Sequence, residues 1–308
     1  MSDIRKDSVT FHRVAEDEAG QRIDNYLTRL LKGVPKSHIY RILRSGEIRV
    51  NKGRADASRR LCAGDEIRIP PIRLAARGED LTPGATFPVV YEDNAMLVID
   101  KPSGVAVHGG SGVAFGVIEQ LRKAHPEFRY LELVHRLDRE TSGLLMLAKK
   151  RSALVKLHDM MRENVPDKRY LALGVGKWNR DIHHVKLPLL KFTTADGERM
   201  VRVSEDGITA HTIFKVERSF TDFTLVEARL RTGRTHQIRV HMVASGCPIA
   251  GDEKYGDFTL NKTLAKQGLK RMFLHAWSLT LPHPLTGEPL ELKAPLPDEL
   301  QRFLNSLE

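Results

Sequence analysis

The chain has 308 residues, 41% of them hydrophobic and 29% charged, with a formal net charge of +10. That length suits one large domain or a large and a small one, and the composition is too apolar for general disorder. Cys62 and Cys247 alone exclude a disulfide framework or a four-thiolate metal site, and no apolar run approaches the roughly 20 residues that span a bilayer. The opening MSDIRKDSVTFHR lacks the apolar core of a secretory signal, so a cytoplasmic protein without membrane association is expected.

Residues 1–19 read as an N-terminal extension. The positive charge concentrates just beyond it: residues 21–60 hold eleven Lys and Arg against Asp24, Glu47 and Asp56. Clustered cations displace counterions from a polyanion, so this segment points to nucleic acid. In QRIDNYLTRLLKG, Ile23, Leu27, Leu30 and Leu31 share a helical face, and Gly33 follows as a stop. Pro35 opens a second helix, PKSHIYRILRSG, that buries Ile39, Ile42 and Leu43. EIRVNKG and DEIRIPP then alternate as two paired strands. Lys36, Arg41, Arg44, Arg49, Lys52 and Arg54 are left facing outward as candidate RNA contacts. The order helix, helix, hairpin resembles the S4 RNA-binding domain, taken here as residues 20–75.

ARGEDLTPGATFP, at 76–88, is a linker rich in Gly, Pro and charge. A second domain occupies 89–308. Its predicted strands are MLVID, GLLMLAK, YLALGVGKW, ITAHTIFKVERS and FTLVEARLR; its helices are SALVKLHDMMREN and a short one in HQIRVHMVASG. Strands outnumber helices without regular alternation. The fold class is therefore α+β, with a mixed, largely antiparallel sheet.

Three stretches of this domain are candidates for chemistry. VHRLDRETSG (134–143) sets Asp138 on a loop that feeds a buried strand, where a rigid scaffold positions reactive groups. KPSGVAVHGGSG (101–112) is Gly-rich but has neither phosphate-loop spacing. RTGRTHQIRVHM (231–242) gathers Arg231, Arg234, His236 and Arg239 at a junction into a helix. His236 and His241 are five apart, which neither a helix nor a strand brings to one face, so no metal site is expected.

Together with KRYLAL (168–173), these stretches stand in the order found in the large-subunit type of RNA pseudouridine synthase, which the chain closely resembles from residue 20 onward. HGGSGVAFGVIEQL and the long LVHRLDRETSGLLMLAKKRSALVKLH favour one branch of that family over a sister branch with Pro at the position of Gly109. The resemblance implies a cofactor-free, metal-free isomerisation: the N1 glycosidic bond of a uridine breaks, the base turns, and C5 is rejoined to the ribose. It implies Asp138 as the catalytic carboxylate, Arg234 as its charge partner, and Tyr170 as the aromatic against the target base. Arg136 would fill the space of the flipped nucleotide, which must leave its stack because the glycosidic bond is otherwise inaccessible. The implied partner is large-subunit (23S) ribosomal RNA, free or in a pre-ribosomal particle, at several uridines near the peptidyl-transfer region, with the enzyme a monomer. Two rivals remain. A non-catalytic S4 assembly factor has no need of the paired HRLD and GRTHQIR motifs. A carboxylate-dependent glycosidase wants a second acid, for which Glu140 is the nearby candidate.

Overall fold

Residues 8–31, 33–72, 82–110 and 113–307 are described by a computed structural model. They fall into two units, Met1–Leu81 and Thr82–Glu308. The expected linker at 76–88 and residues 111–112 of the Gly-rich segment lie partly or wholly outside the described residues.

The first unit comprises β1 (Thr10–Arg13), α1 (Ile23–Leu30), α2 (Lys36–Arg44), β2 (Arg49–Val50), β3 (Gly53–Arg54) and β4 (Glu66–Ile69). Its sheet has the order β1-β4-β2-β3. The apolar faces of both helices close on the sheet: Ile23, Tyr26, Leu27, Ile39 and Ile42 pack with Val50, Ile67 and Ile69 in one core. Each such side chain contributes about 1.5–3 kcal/mol by leaving water. Within the stretch read as an extension, β1 (Thr10–Arg13) belongs to this sheet, because it pairs antiparallel with β4 and sets Phe11 opposite Arg68. TFHR is too short, and its Phe11 too exposed at 57%, for alternation to reveal a strand. Lys36, Arg41, Arg44, Arg49, Lys52 and Arg54 are all exposed, as expected.

The second unit begins with β5 (Val89–Glu92), β6 (Met96–Lys101), α3 (Val117–Ala124), β7 (Glu132–Leu133), β8 (Ser142–Ala148), α4 (Arg151–Arg162) and β9 (Asp167–Val175). It continues through β10 (His184–Val185), β11 (Leu189–Thr193), β12 (Arg199–Val203), β13 (Thr212–Ser219), β14 (Phe223–Leu230) and α5 (Gln237–Ala244). Then come α6 (Phe258–Lys266), β15 (Leu274–Pro282), β16 (Pro289–Lys293) and α7 (Asp298–Asn305). The main sheet runs β10-β13-β14-β9-β15-β8-β6-β5, with β16 beside β15, β7 beside β8, and β11-β12 as a separate hairpin. Among the described pairings only β15 with β8 is parallel, which bears out the α+β, largely antiparallel reading.

The continuous apolar run of β8 follows from burial on both faces of the sheet. Leu145 and Leu147 enter one core with Leu97 and Ile99 of β6. The alternate residues Leu144, Met146 and Ala148 enter the other, with Met96 and Val98. Gly143, at the start of β8, has φ +109°, and a Cβ there would stand 2.2 Å from the Ala276 carbonyl oxygen of β15. Only glycine lets the two backbones approach so closely where the chain leaves the Asp138 loop.

Candidate active site

The loop between β7 and β8 carries Asp138, and the KPSG segment after β6 braces it. Lys101 is fully buried, and its Nζ donates to the carbonyls of Pro102, Val105 and Arg139 at 2.7, 2.8 and 3.1 Å. Burial, with the charge of Arg271, pushes Lys101 down to about 7. The Ser103 hydroxyl donates to the Glu140 carbonyl at 2.8 Å, the Gly104 N–H donates to the Arg139 carbonyl, and the Arg139 side-chain Nε donates to the Gly104 carbonyl at 2.9 Å. The Gly-rich stretch thus serves as scaffolding for the aspartate loop.

Leu137 anchors this loop in the main core, while Asp138 keeps a side-chain exposure of 20% toward a cavity of about 280 Å³. Arg136, Lys168, Tyr170, Arg234, His236 and Arg239 also line that cavity. The sheet supplies its wall: Lys168 and Tyr170 lie two apart on β9, hence on one face, and both are buried. Burial, reinforced by the charge of Asp138, raises the Tyr170 phenol well above its ordinary value. Desolvation and the Lys168 charge push His135, whose Nε2 accepts the Met146 N–H at 3.1 Å, down to about 4.

Asp138 meets its cation on α5, and that cation is Arg239. Arg239 Nη1 lies 3.4 Å from Asp138 Oδ2. The same guanidinium donates twice to Asp252, Nε to Oδ2 at 2.7 Å and Nη2 to Oδ1 at 2.6 Å. Asp252 in turn accepts the N–H groups of Lys254 and Tyr255 at 2.9 and 3.2 Å. Burial opposes the charge on Arg239, but Asp252 and then Asp138 outweigh it and hold its pKa above the ordinary value. His236 immediately precedes α5 with φ +53°. Its Nδ1 is 2.7 Å from the Tyr255 hydroxyl and its Nε2 is 4.0 Å from Asp138 Oδ1. The Tyr255 hydroxyl accepts the Val201 N–H at 2.9 Å and is placed to donate to Nδ1, which leaves the Nε2 proton facing Asp138. Burial depresses His236 and Asp138 only partly opposes this, so the ring is neutral at physiological pH.

Sequence reasoning brought Asp138, Tyr170, Arg234 and Arg136 to one cavity, but assigned the wrong arginine to the aspartate. Arg234 lies in the loop before α5, exposed, with its Nε donating to the Thr209 carbonyl at 3.2 Å. Arg239 is only 4% exposed. A signal was present: Arg239 is the one arginine flanked by apolar residues inside the helical segment, and a buried guanidinium requires a carboxylate. His241 is occupied elsewhere, by the Thr212 hydroxyl and the Leu187 carbonyl, so it does not join His236. A broader groove of about 1180 Å³ shares Arg136, Asp138 and Arg239 with the cavity and adds Lys191, Arg199 and Lys270, a cationic approach suited to a phosphate backbone.

Residues 95–244 match the family described as RNA pseudouridylate synthase, and residues 21–67 match the S4 domain. The ribosomal large subunit pseudouridine synthase C of Pasteurella multocida is 52% identical, covering 96% of this chain and 92% of that protein. The protein of the same name from Escherichia coli strain K12 is 53% identical over 97% of each. Among solved structures, human RNA pseudouridylate synthase domain containing 4 is similar with a TM-score of 0.59 and 29% identity, over 71% of this chain and 92% of that one.

Proposed function

The chain belongs to the RNA pseudouridylate synthase family, and from that premise we propose that it isomerises uridines of large-subunit ribosomal RNA with Asp138 as the reacting carboxylate. The observation that carries this is the placement of Asp138: partly open to a base-sized cavity on one side, and held by a clamped Arg239 on the other. Relatives named synthase C, similar over nearly the whole chain, support ribosomal RNA as substrate and favour that specificity over the sister synthase D.

On this reading the RNA lies along the cationic groove and one uridine is flipped into the cavity, where Tyr170 packs against the base. Extrusion costs a few kcal/mol, and Arg136, exposed at the rim, fills the vacated place in the stack. Asp138, oriented by Arg239, acts at the nucleotide as the N1–C1′ bond breaks. The uracil, held by the cavity, turns and bonds C1′ through C5. The C5 proton is lost and N1 takes one up, so nothing is consumed. The neutral Tyr170 phenol and neutral His236 are the groups placed to move protons beside the carboxylate. The exposed cations of the first unit supply a sequence-independent grip on RNA. The enzyme is proposed to act as a cytoplasmic monomer; no helix among the described residues is long and apolar enough to cross a membrane.

The glycosidase alternative is disfavoured by its second carboxylate. Glu140 does not line the inner cavity, and Asp252 is buried and fully engaged with Arg239. Asp138→Asn, nearly isosteric, is expected to abolish pseudouridine formation in ribosomal RNA while RNA affinity stays within about threefold. Turnover by the purified variant, or release of free uracil by the wild type, would overturn the proposal.

A further inference from the structure

Lys168 is a buried cation on the cavity wall whose charge the reaction described above does not use. It sits on β9, is 7% exposed, and lines the same cavity as Asp138 and Tyr170. Among the described residues no carboxylate pairs with it. Its Nζ has a single polar contact, the Met161 thioether sulfur at 3.9 Å, a weak acceptor for an ammonium. His135, the neighbouring titratable group, is neutral and gives no compensation. A buried ammonium without a counterion costs several kcal/mol, and burial lowers the Lys168 pKa from its ordinary value. A perturbed group of this kind facing a cavity marks a candidate functional site.

The chemistry of the flipped base identifies what arrives. When the N1–C1′ bond breaks, the electron pair stays with N1 and spreads over the carbonyl oxygens of the uracil ring. A fixed cation in a water-poor cavity stabilises such developing charge far better than solvent does. We infer that Lys168 is a catalytic residue that donates a hydrogen bond from its ammonium to a uracil carbonyl oxygen and stabilises the departing uracil anion. No proton need be transferred by Lys168: it binds the carbonyl more tightly as charge accumulates and releases it when C5 has bonded C1′ and the ring is neutral again. The inference rests on the isomerisation proposed above.

The test uses the full-length protein and RNA carrying either uridine or 5-fluorouridine at the target position, the fluorinated ring being more acidic and the better leaving group. Lys168→Met keeps the length and burial of the side chain beside Met161 and removes the charge; Lys168→Gln keeps a neutral donor. Lys168→Met is expected to slow single-turnover consumption of uridine by about 100-fold or more, with KM for RNA changed less than about threefold. Lys168→Gln should fall between it and the wild type. On 5-fluorouridine RNA, C5 carries fluorine and has no proton to lose, so the readout is single-turnover consumption of the fluorouridine by N1–C1′ cleavage and C5–C1′ bonding. There the Lys168→Met defect should shrink to less than about tenfold, because a better leaving group needs less help. A merely structural role predicts equal loss on both RNAs. Equal loss, or a wild-type rate for either variant on uridine RNA, overturns the inference. A wild-type protein that forms no pseudouridine at all overturns the isomerisation itself.

Discussion

Arg239 binds Asp252 through two hydrogen bonds of 2.6 and 2.7 Å and reaches Asp138 only at 3.4 Å. The two carboxylates are therefore unequal: Asp252 fixes the guanidinium, and Asp138 receives what remains of its reach. Bidentate pairing sets orientation as well as energy, so Asp252 acts on the reaction through Arg239. Asp252→Asn is expected to lower kcat about 10- to 100-fold. It should also destabilise the fold by about 3–5 kcal/mol, because it leaves a buried cation undercompensated. Single-turnover kinetics and urea unfolding measure the two effects, and an unchanged kcat would show that Arg239 orients Asp138 unaided.

The exchange of Arg234 for Arg239 as the aspartate's partner gives a paired prediction. Arg239→Lys retains the charge but cannot span Asp252 and Asp138 with a planar fork, and it should lose most of kcat. Arg234→Ala removes an exposed side chain at the cavity rim. It should change stability by less than about 0.5 kcal/mol and act chiefly on KM for RNA. Steady-state kinetics on the two variants separates the roles.

The periodicities of α1, α2 and α4 and the apolar run of β8 were legible because burial imposes them residue by residue. Asp138 was legible through the family order of HRLD, KRYLAL and GRTHQIR; charge beside a buried strand was by itself a weak signal. The partner of Asp138 was not read correctly: Arg234 and Arg239 stand on opposite sides of a helix start, a shift of five residues separates rim from interior, and the apolar flanks of Arg239 were the only local sign of which one is buried. Asp252 lies 114 positions from Asp138 and joins it only when α5 docks, so no local pattern reports it. The bracing by Lys101 was hidden for a related reason. Its three acceptors are backbone carbonyls, and one of them, on Arg139, lies 38 residues away.

Gly143 is expected to tolerate no side chain. Its positive φ alone costs an alanine about 1–2 kcal/mol, and the added Cβ would meet the Ala276 carbonyl oxygen at 2.2 Å. Relief requires parting β8 from β15 at their parallel pairing, where Gly143 faces Ala276. Gly143→Ala should thus lose more than about 3 kcal/mol in denaturant unfolding and lose activity as well, since the Asp138 loop is anchored at this point. An alanine variant of wild-type stability would mean that the strands can separate here cheaply.

The exposed cations of the first unit predict a salt effect rather than a loss of chemistry. Replacing Lys36, Arg44, Arg49 and Lys52 together by alanine should weaken RNA binding and flatten the dependence of log K on log salt. The slope should change by about 0.7 for each lost contact to a single-stranded phosphate. The rate of the bound complex should be preserved. A filter-binding titration at several ionic strengths checks this, and an unchanged slope would remove these residues from the interface.

His275 sets a pH limit on stability. Its Nδ1 is 2.8 Å from the Ser142 hydroxyl and its Nε2 is 3.2 Å from the Ala294 carbonyl. Arg271 donates to that same Ser142 oxygen at 2.8 Å, so the serine proton is directed to Nδ1 and the imidazole is neutral with its proton on Nε2. Desolvation, and more weakly the Arg271 charge, push His275 down to about 4 from an ordinary 6.5. The unfolded chain therefore binds a proton between these values that the folded one refuses. The stabilisation is complete above pH 6.5 and is lost as pH falls toward 4, on the order of 3 kcal/mol in all. His135, depressed to the same value, steepens the fall over the same window. Unfolding free energy measured from pH 7 to 4 should drop accordingly. His275→Gln, which offers a hydrogen-bonding amide without a titrating proton, should start less stable at pH 7 and show a shallower decline. A variant with the wild-type slope would place the acid sensitivity elsewhere.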